Sequence, residues 1–232
     1  MERNVQRLDS LAGGSVYDVG QHRVLRNTYW LLALSMLPTV LGAWIGVQTG
    51  IVSHMSPGLS MIVFLAGAYG LMFAVNATKN SSTGVFMLLG FTFFMGLMMS
   101  RLLGAVLGGY SNGAGLIMTA FAGTAGVFFG MATLATVIKR DLSGLSRFLM
   151  VGALIVIVAS VINLFVQSTA AMLAISCGVM AIFSLYIMID VKRVLDGGET
   201  NYVMATLSIY LDLYNVFQSL LILLTSLSGE RR

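Results

Sequence analysis

Seven apolar stretches, each long enough to cross a bilayer, dominate the sequence and leave little room for any other fold. They run roughly over residues 28–51, 58–78, 84–106, 114–138, 147–167, 170–191 and 203–227. A spanning helix needs about 20 apolar residues. With no water in the hydrocarbon, only helices and closed barrels satisfy their own backbones there. Uninterrupted apolar runs rather than alternation select helices. The composition agrees: of 232 residues, 57% are hydrophobic and 9% charged, against about 25% charged in soluble domains. The fold class is therefore all-α integral membrane, with residues 1–27 as a flexible polar tail and 28–232 as one transmembrane domain.

The breaks carry turn chemistry: "HMSPG" (54–58), "KNSSTG" (79–84), "GGYSNG" (108–113), "KRDLSG" (139–144) and "DGGETN" (196–201). Between the fifth and sixth stretches no Gly or Pro marks a turn. There only the length, over 40 residues from Phe148 to Ile189, demands two helices. A six-span arrangement with a re-entrant last segment is the alternative. Residues 1–27 hold no apolar stretch, so the first span is expected to direct insertion.

Basic residues set the orientation. With the N-terminus cytoplasmic, ten of the 13 lysines and arginines fall on the tail and the second, fourth and sixth loops. Arg101, Arg231 and Arg232 fall on the other side. This asymmetry predicts N-terminus in and C-terminus out. Tyr29 and Trp30 near one end of the first span and Trp44 towards the other suit the two interfacial aromatic belts.

Several residues have plain structural readings. Cys177 reads as a small core residue and Arg101 as a snorkelling side chain. His54 alone is no metal site. Ala122, Gly126 and Gly130 repeat at four-residue spacing, which lets helices approach closely, and are expected to pack inside the monomer.

The last span carries the chemistry. Ala205, Ser208, Asp212, Asn215 and Ser219 follow steps of three and four, so they share one stripe of a helix. The remaining faces, with Leu207, Ile209, Val216 and Leu221, are expected to suit lipid. An aspartate at the centre of a membrane helix costs about 3 kcal/mol, so Asp212 must look into the bundle. Asp190, in "FSLYIMIDVKRVL" near the end of the sixth span, is its expected neighbour across a short loop. Asp190 pairing with Lys192 or Arg193 is the structural alternative. If the two carboxylates meet, they cannot both ionise cheaply and would share a proton. An intramembrane aspartyl protease would also use two aspartates. Such enzymes carry Gly-x-Gly-Asp and Tyr-Asp, and neither "IMID" nor "IYLD" matches. No nucleotide, phosphate or zinc motif is present, and no catalytic residue or cofactor is expected.

Taken together, seven spans, an aspartate ending the sixth and "SIYLDLYNVF" in the seventh resemble the Bax inhibitor-1 family. "HRVLRNTYWLL" (22–32) and "GGETNYVMATLSIYLDLYNVF" (197–217) resemble its bacterial, YccA-like branch. The resemblance covers essentially the whole chain. It implies six helices around a central one, and a pH-sensing latch of Asp190 and Asp212 beside a calcium path, with Ser208, Asn215 and Ser219 as supporting polar groups. Calcium would then be a permeant or weakly bound ion at Asp190 and Asp212. The bacterial branch implies an inner-membrane regulator whose partner is the membrane-anchored protease FtsH. One departure stands out. Leak-forming members place an arginine on the second helix, whereas this chain has no Lys or Arg between Arg26 and Lys79, and Asn76 is the strongly polar residue late in that helix.

Overall fold

The structure, a computed structural model, describes residues 2–229, with side chains from Gly20 onward. It contains seven helices: α1 (Glu2–Thr49), α2 (Pro57–Thr78), α3 (Ser82–Gly109), α4 (Gly113–Val137), α5 (Ser143–Val166), α6 (Thr169–Leu195) and α7 (Tyr202–Leu227). All seven are long and apolar enough to cross a membrane, α1 through Gly20–Thr49. The chain is an all-helical membrane protein, and the last segment is a full-length helix rather than a re-entrant loop.

No break falls at residue 27. Residues 20–27 continue the helix, and Leu25 packs against the core. The side chains of the rest of the expected tail, residues 1–19, lie outside the described residues. The unmarked turn between α5 and α6 is made by two polar residues. Gln167 adopts the left-handed conformation that ends α5 (φ 52°, ψ 34°). Ser168 then caps α6, its hydroxyl accepting the Ala171 N–H at 3.2 Å.

α7 lies at the centre. It packs against α1, α2, α3, α4 and α6, whereas α5 packs on α6 alone. The lipid-facing surfaces expected for α7 are absent: Leu207, Ile209, Val216 and Leu221 are all buried. Lipid is met instead by α5, which exposes Phe148, Ile155, Ile162 and Phe165 among others.

The closest helix crossing is between α1 and α3. A Cβ on Gly42 would run into the Phe93 carbonyl, one on Gly96 into the Thr39 carbonyl, and one on Gly46 into the Ser100 side chain. One glycine on each helix, Gly42 on α1 and Gly96 on α3, thus meets the other helix's backbone directly, the arrangement that brings membrane helices together. Fixed above this crossing is Tyr210 of α7. Its hydroxyl lies 2.9 Å from Thr39 Oγ1 and 3.4 Å from the Thr92 carbonyl. Its ring stands edge-on to Phe91 at 6.0 Å.

The small-residue stripe on α4 proves to be elsewhere than expected. Ala122, Gly126 and Gly130 face outward, and a Cβ on Gly126 or Gly130 would meet nothing within 4 Å. Spacing was right for close approach, but no neighbouring helix covers that face. Cys177 is likewise exposed rather than in the core.

Gly96→Leu and Gly42→Leu should each destabilise the bundle by about 2 kcal/mol or more, since backbone would have to move to admit the side chain. Gly126→Leu should stay within about 0.5 kcal/mol of the parent, as outward-facing substitutions usually do. Unfolding curves in detergent rank the three, and comparable losses for Gly126→Leu and Gly96→Leu would contradict this assignment.

Candidate functional site: carboxylates on α6 and α7

α6 extends four residues past its expected end, whereas α7 begins within one residue of its expected start. α6 continues five residues beyond Asp190 to Leu195, and α7 starts ten residues before Asp212 at Tyr202. At 1.5 Å per residue, Asp212 is about 15 Å into its helix and Asp190 about 8 Å from the end of its own. The helices run antiparallel. Ser208, one turn before Asp212, is within hydrogen-bonding reach of Asp190. Asp190 in turn is within electrostatic reach of Asp212.

Their surroundings differ. Asp212 is 6% exposed, and its Oδ2 is buried with no hydrogen-bond partner in the protein. Buried polar atoms are nearly always paired, so this oxygen marks the site. Asp190 is half-buried and feels the charges of Arg193 and Glu199. The alternative pairing with Lys192 is not made. Lys192 Nζ instead bridges to Asp196, 2.9 Å away and one turn on.

Sequence reasoning did not single out Tyr186. It sits one turn before Asp190 on α6, where the charges of both Asp212 and Asp190 are felt at its phenol. The i, i+4 spacing of Tyr186 and Asp190 was its only signal in the sequence, and such spacings are common. The remaining stripe residues do not join the group. The Asn215 amide donates to its own helix at the Leu211 carbonyl, 2.8 Å away. Ser219 is buried two turns from Asp212, about 10 Å along the axis. Asn76 is exposed and accepts from Lys79 Nζ at 3.0 Å, so it does not replace the missing arginine. Arg101 donates to the Ser60 hydroxyl on α2 at 3.0 Å, tying α3 to α2 far from the pair.

As a metal site the donor set is thin. Ca²⁺ takes six to eight oxygens. Two carboxylates, one hydroxyl and one phenol supply few of them. Among the described residues no group of three or more His, Cys, Asp or Glu converges. The arrangement does not fit a resident ion.

The loop above the pair is held by Asn201. Its Oδ1 caps α7 by accepting from the Val203 and Met204 N–H groups at 3.0 and 3.1 Å. Its Nδ2 donates to the Lys79 carbonyl and to Asn80 Oδ1, at 3.0 and 2.9 Å. One side chain thus joins the α6–α7 loop to the α2–α3 loop and fixes where α7 begins.

Residues 21–229 match the family model described as inhibitor of apoptosis-promoting Bax1. The chain belongs to this Bax inhibitor family. Its similarity to individual relatives extends over nearly the full length. The modulator of FtsH protease YccA of Escherichia coli K12 is 40% identical over 204 residues, covering 88% of this chain and 90% of the relative. An uncharacterized protein of Neisseria meningitidis serogroup A is 39% identical over 219 residues, covering 93% and 96%. An uncharacterized membrane protein of Vibrio cholerae is 38% identical over 206 residues, covering 88% and 89%. The counterpart in a second Escherichia coli strain is named inner membrane protein YccA. As a member of the Bax inhibitor family, the chain keeps both carboxylates inside the matched region.

Asn201→Ala should cost about 2 kcal/mol through loss of the cap and of the cross-loop bonds. Asn201→Asp retains the capping oxygens but loses both amide donors, so its loss should be roughly half as large. Thermal unfolding of the two variants separates the roles, and equal losses would mean that the cross-loop bonds alone matter.

Proposed function

We propose that this Bax inhibitor family protein is a non-enzymatic regulator of the bacterial inner membrane that restrains the membrane-anchored protease FtsH. The observation that supports this most is the 40% identity, over 88% of the chain, to a protein named as a modulator of that protease. The positive-inside asymmetry favours a cytoplasmic N-terminus. Residues 1–20 precede most of the apolar part of α1 and offer a protease a starting handle on that side.

The test is co-expression with FtsH and a membrane substrate whose half-life is followed after synthesis stops. The parent protein should lengthen that half-life. Deleting residues 1–20 should leave the membrane fold intact and prolong the protein's own lifetime. An unchanged substrate half-life with the parent would sink the regulatory reading, and an unchanged lifetime of the truncated form would remove the tail as the point of engagement.

A second reading rests on the unpartnered Oδ2 of Asp212. In this reading Asp190 and Asp212 form a pH-responsive gate on a cation path, with calcium as a permeant ion. Two neighbouring carboxylates repel when both are charged, and a proton between them removes the repulsion. Alkaline conditions should then loosen the α6–α7 contact and admit cations. In liposomes with an entrapped calcium dye, flux through the parent should rise with pH. Asp190→Asn and Asp212→Asn should both flatten that profile, because neither can become doubly negative. If Asp190→Asn keeps the parental profile, the pair does not act as a unit.

A further inference from the structure

A second polar feature lies at the end of the molecule shared by α4, α5 and α6. The end of α4, the following loop and the last turn of α6 enclose an open cleft of about 590 Å³. Its polar lining consists of Lys139, Arg140, Asp141, Lys192, Asp196 and the Thr136 hydroxyl. The acids there are already engaged. Asp141 accepts the Ser143 N–H at 2.9 Å and the Ser143 hydroxyl at 2.7 Å, bonds that hold its carboxyl below the usual range. Asp196 neutralises Lys192. Lys139 and Arg140 are exposed, and neither makes a salt bridge among the described residues. Three cations against two carboxylates leave the lining with a net charge of +1, and Lys139 and Arg140 are the cations outside the Lys192–Asp196 bridge.

Its position matters as much as its charge. The cleft stands at the ends of two apolar helices, α4 and α6, beside the loop that leads into α5. α4 and α5 each pack on α6 but not on one another, so the cleft is open from the side. Ala135, Ile138 and Leu195 supply its apolar lining, and Leu134 and Val137 in the last turn of α4 are exposed apolar residues next to it in the chain. Cationic groups above an apolar, laterally open wall complement a phosphate carried on acyl chains. Basic pockets between membrane helices on the cytoplasmic side are known to hold anionic headgroups.

We infer that this cleft seats the phosphate of an anionic phospholipid between Lys139 and Arg140, with its acyl chains against the outer surface of α4 and α5. The phosphate is held by charge-assisted hydrogen bonds, bidentate from the Arg140 guanidinium and single from the Lys139 ammonium. The occupant is a lipid and not a soluble phosphate, since the apolar wall contributes only to a ligand with hydrocarbon. This inference is independent of protease binding and of the carboxylate pair.

The test uses the full-length protein in detergent micelles, exchanged against mixed micelles of phosphatidylglycerol and phosphatidylcholine and read by native mass spectrometry. The parent should retain phosphatidylglycerol over phosphatidylcholine. Lys139→Ala/Arg140→Ala should lower that retention at least fivefold. Arg23→Ala/Arg26→Ala removes the same charge from exposed positions on the same side and should retain lipid as the parent does. Thermal unfolding verifies that both pairs are folded. Equal retention by the cleft variant and the parent overturns the inference, as does equal loss in both double variants, which would reduce it to general surface charge. Displacement of the lipid by millimolar inorganic phosphate would make this a soluble-anion site. A parental dimer that dissociates in the cleft variant, without loss of lipid, would assign the cleft to a second copy of the chain. Either result also overturns the lipid assignment.

Discussion

A carboxylate in hydrocarbon is the constraint on which the rest of this structure depends. Asp212 sits near the middle of α7, where exposure to lipid would cost about 3 kcal/mol. The chain meets that cost by enclosing α7 on all sides, with five of the other six helices against it. Enclosure in turn explains why apolar residues all around α7 are buried, and why α5 is pushed to the periphery. The polar stripe on α7 is thus one part of a buried helix, not the inner half of an amphipathic one.

Enclosing one helix with others demands close packing somewhere, and the α1–α3 crossing supplies it. Glycines at 42, 46 and 96 remove the side chains that would hold the helices apart. The hydrophobic effect does not drive helices together within lipid, so dispersion contacts and interhelical hydrogen bonds must do so. Tyr210 provides one such link, from the central helix to Thr39 on α1. Asn201 provides another at the loops, where its amide binds the α2–α3 connection while its oxygen caps α7. The carboxylate pair is therefore suspended from two anchors on α7, one in the loop and one in the core.

Membership of the Bax inhibitor family and similarity to an FtsH modulator give this arrangement a regulatory context. The absence of a basic residue between Arg26 and Lys79 leaves the pair without a cation on α2. The nearby groups are Ser208, Tyr186 and, from the end of α6, Arg193.

The seven spans were legible in the sequence, as was the need to hide Asp212, because both follow from transfer energies that act on each segment alone. The family was legible too, carried by the stretch from Gly197 to Phe217. The α5–α6 turn was legible only as a length, since Gln167 and Ser168 carry no strong turn signal until the chain is folded. Tertiary structure decided which small residues meet other helices. Gly126 and Gly42 both stand in four-residue patterns, yet only Gly42 has a backbone opposite it. It also decided that Cys177 faces outward, that Tyr186 joins the carboxylates and that Asn215 does not. Such outcomes depend on the rotation of each helix about its axis. In lipid nearly every face of an apolar helix is equally acceptable, so periodicity within one segment cannot set that rotation, and only contact with neighbouring helices does.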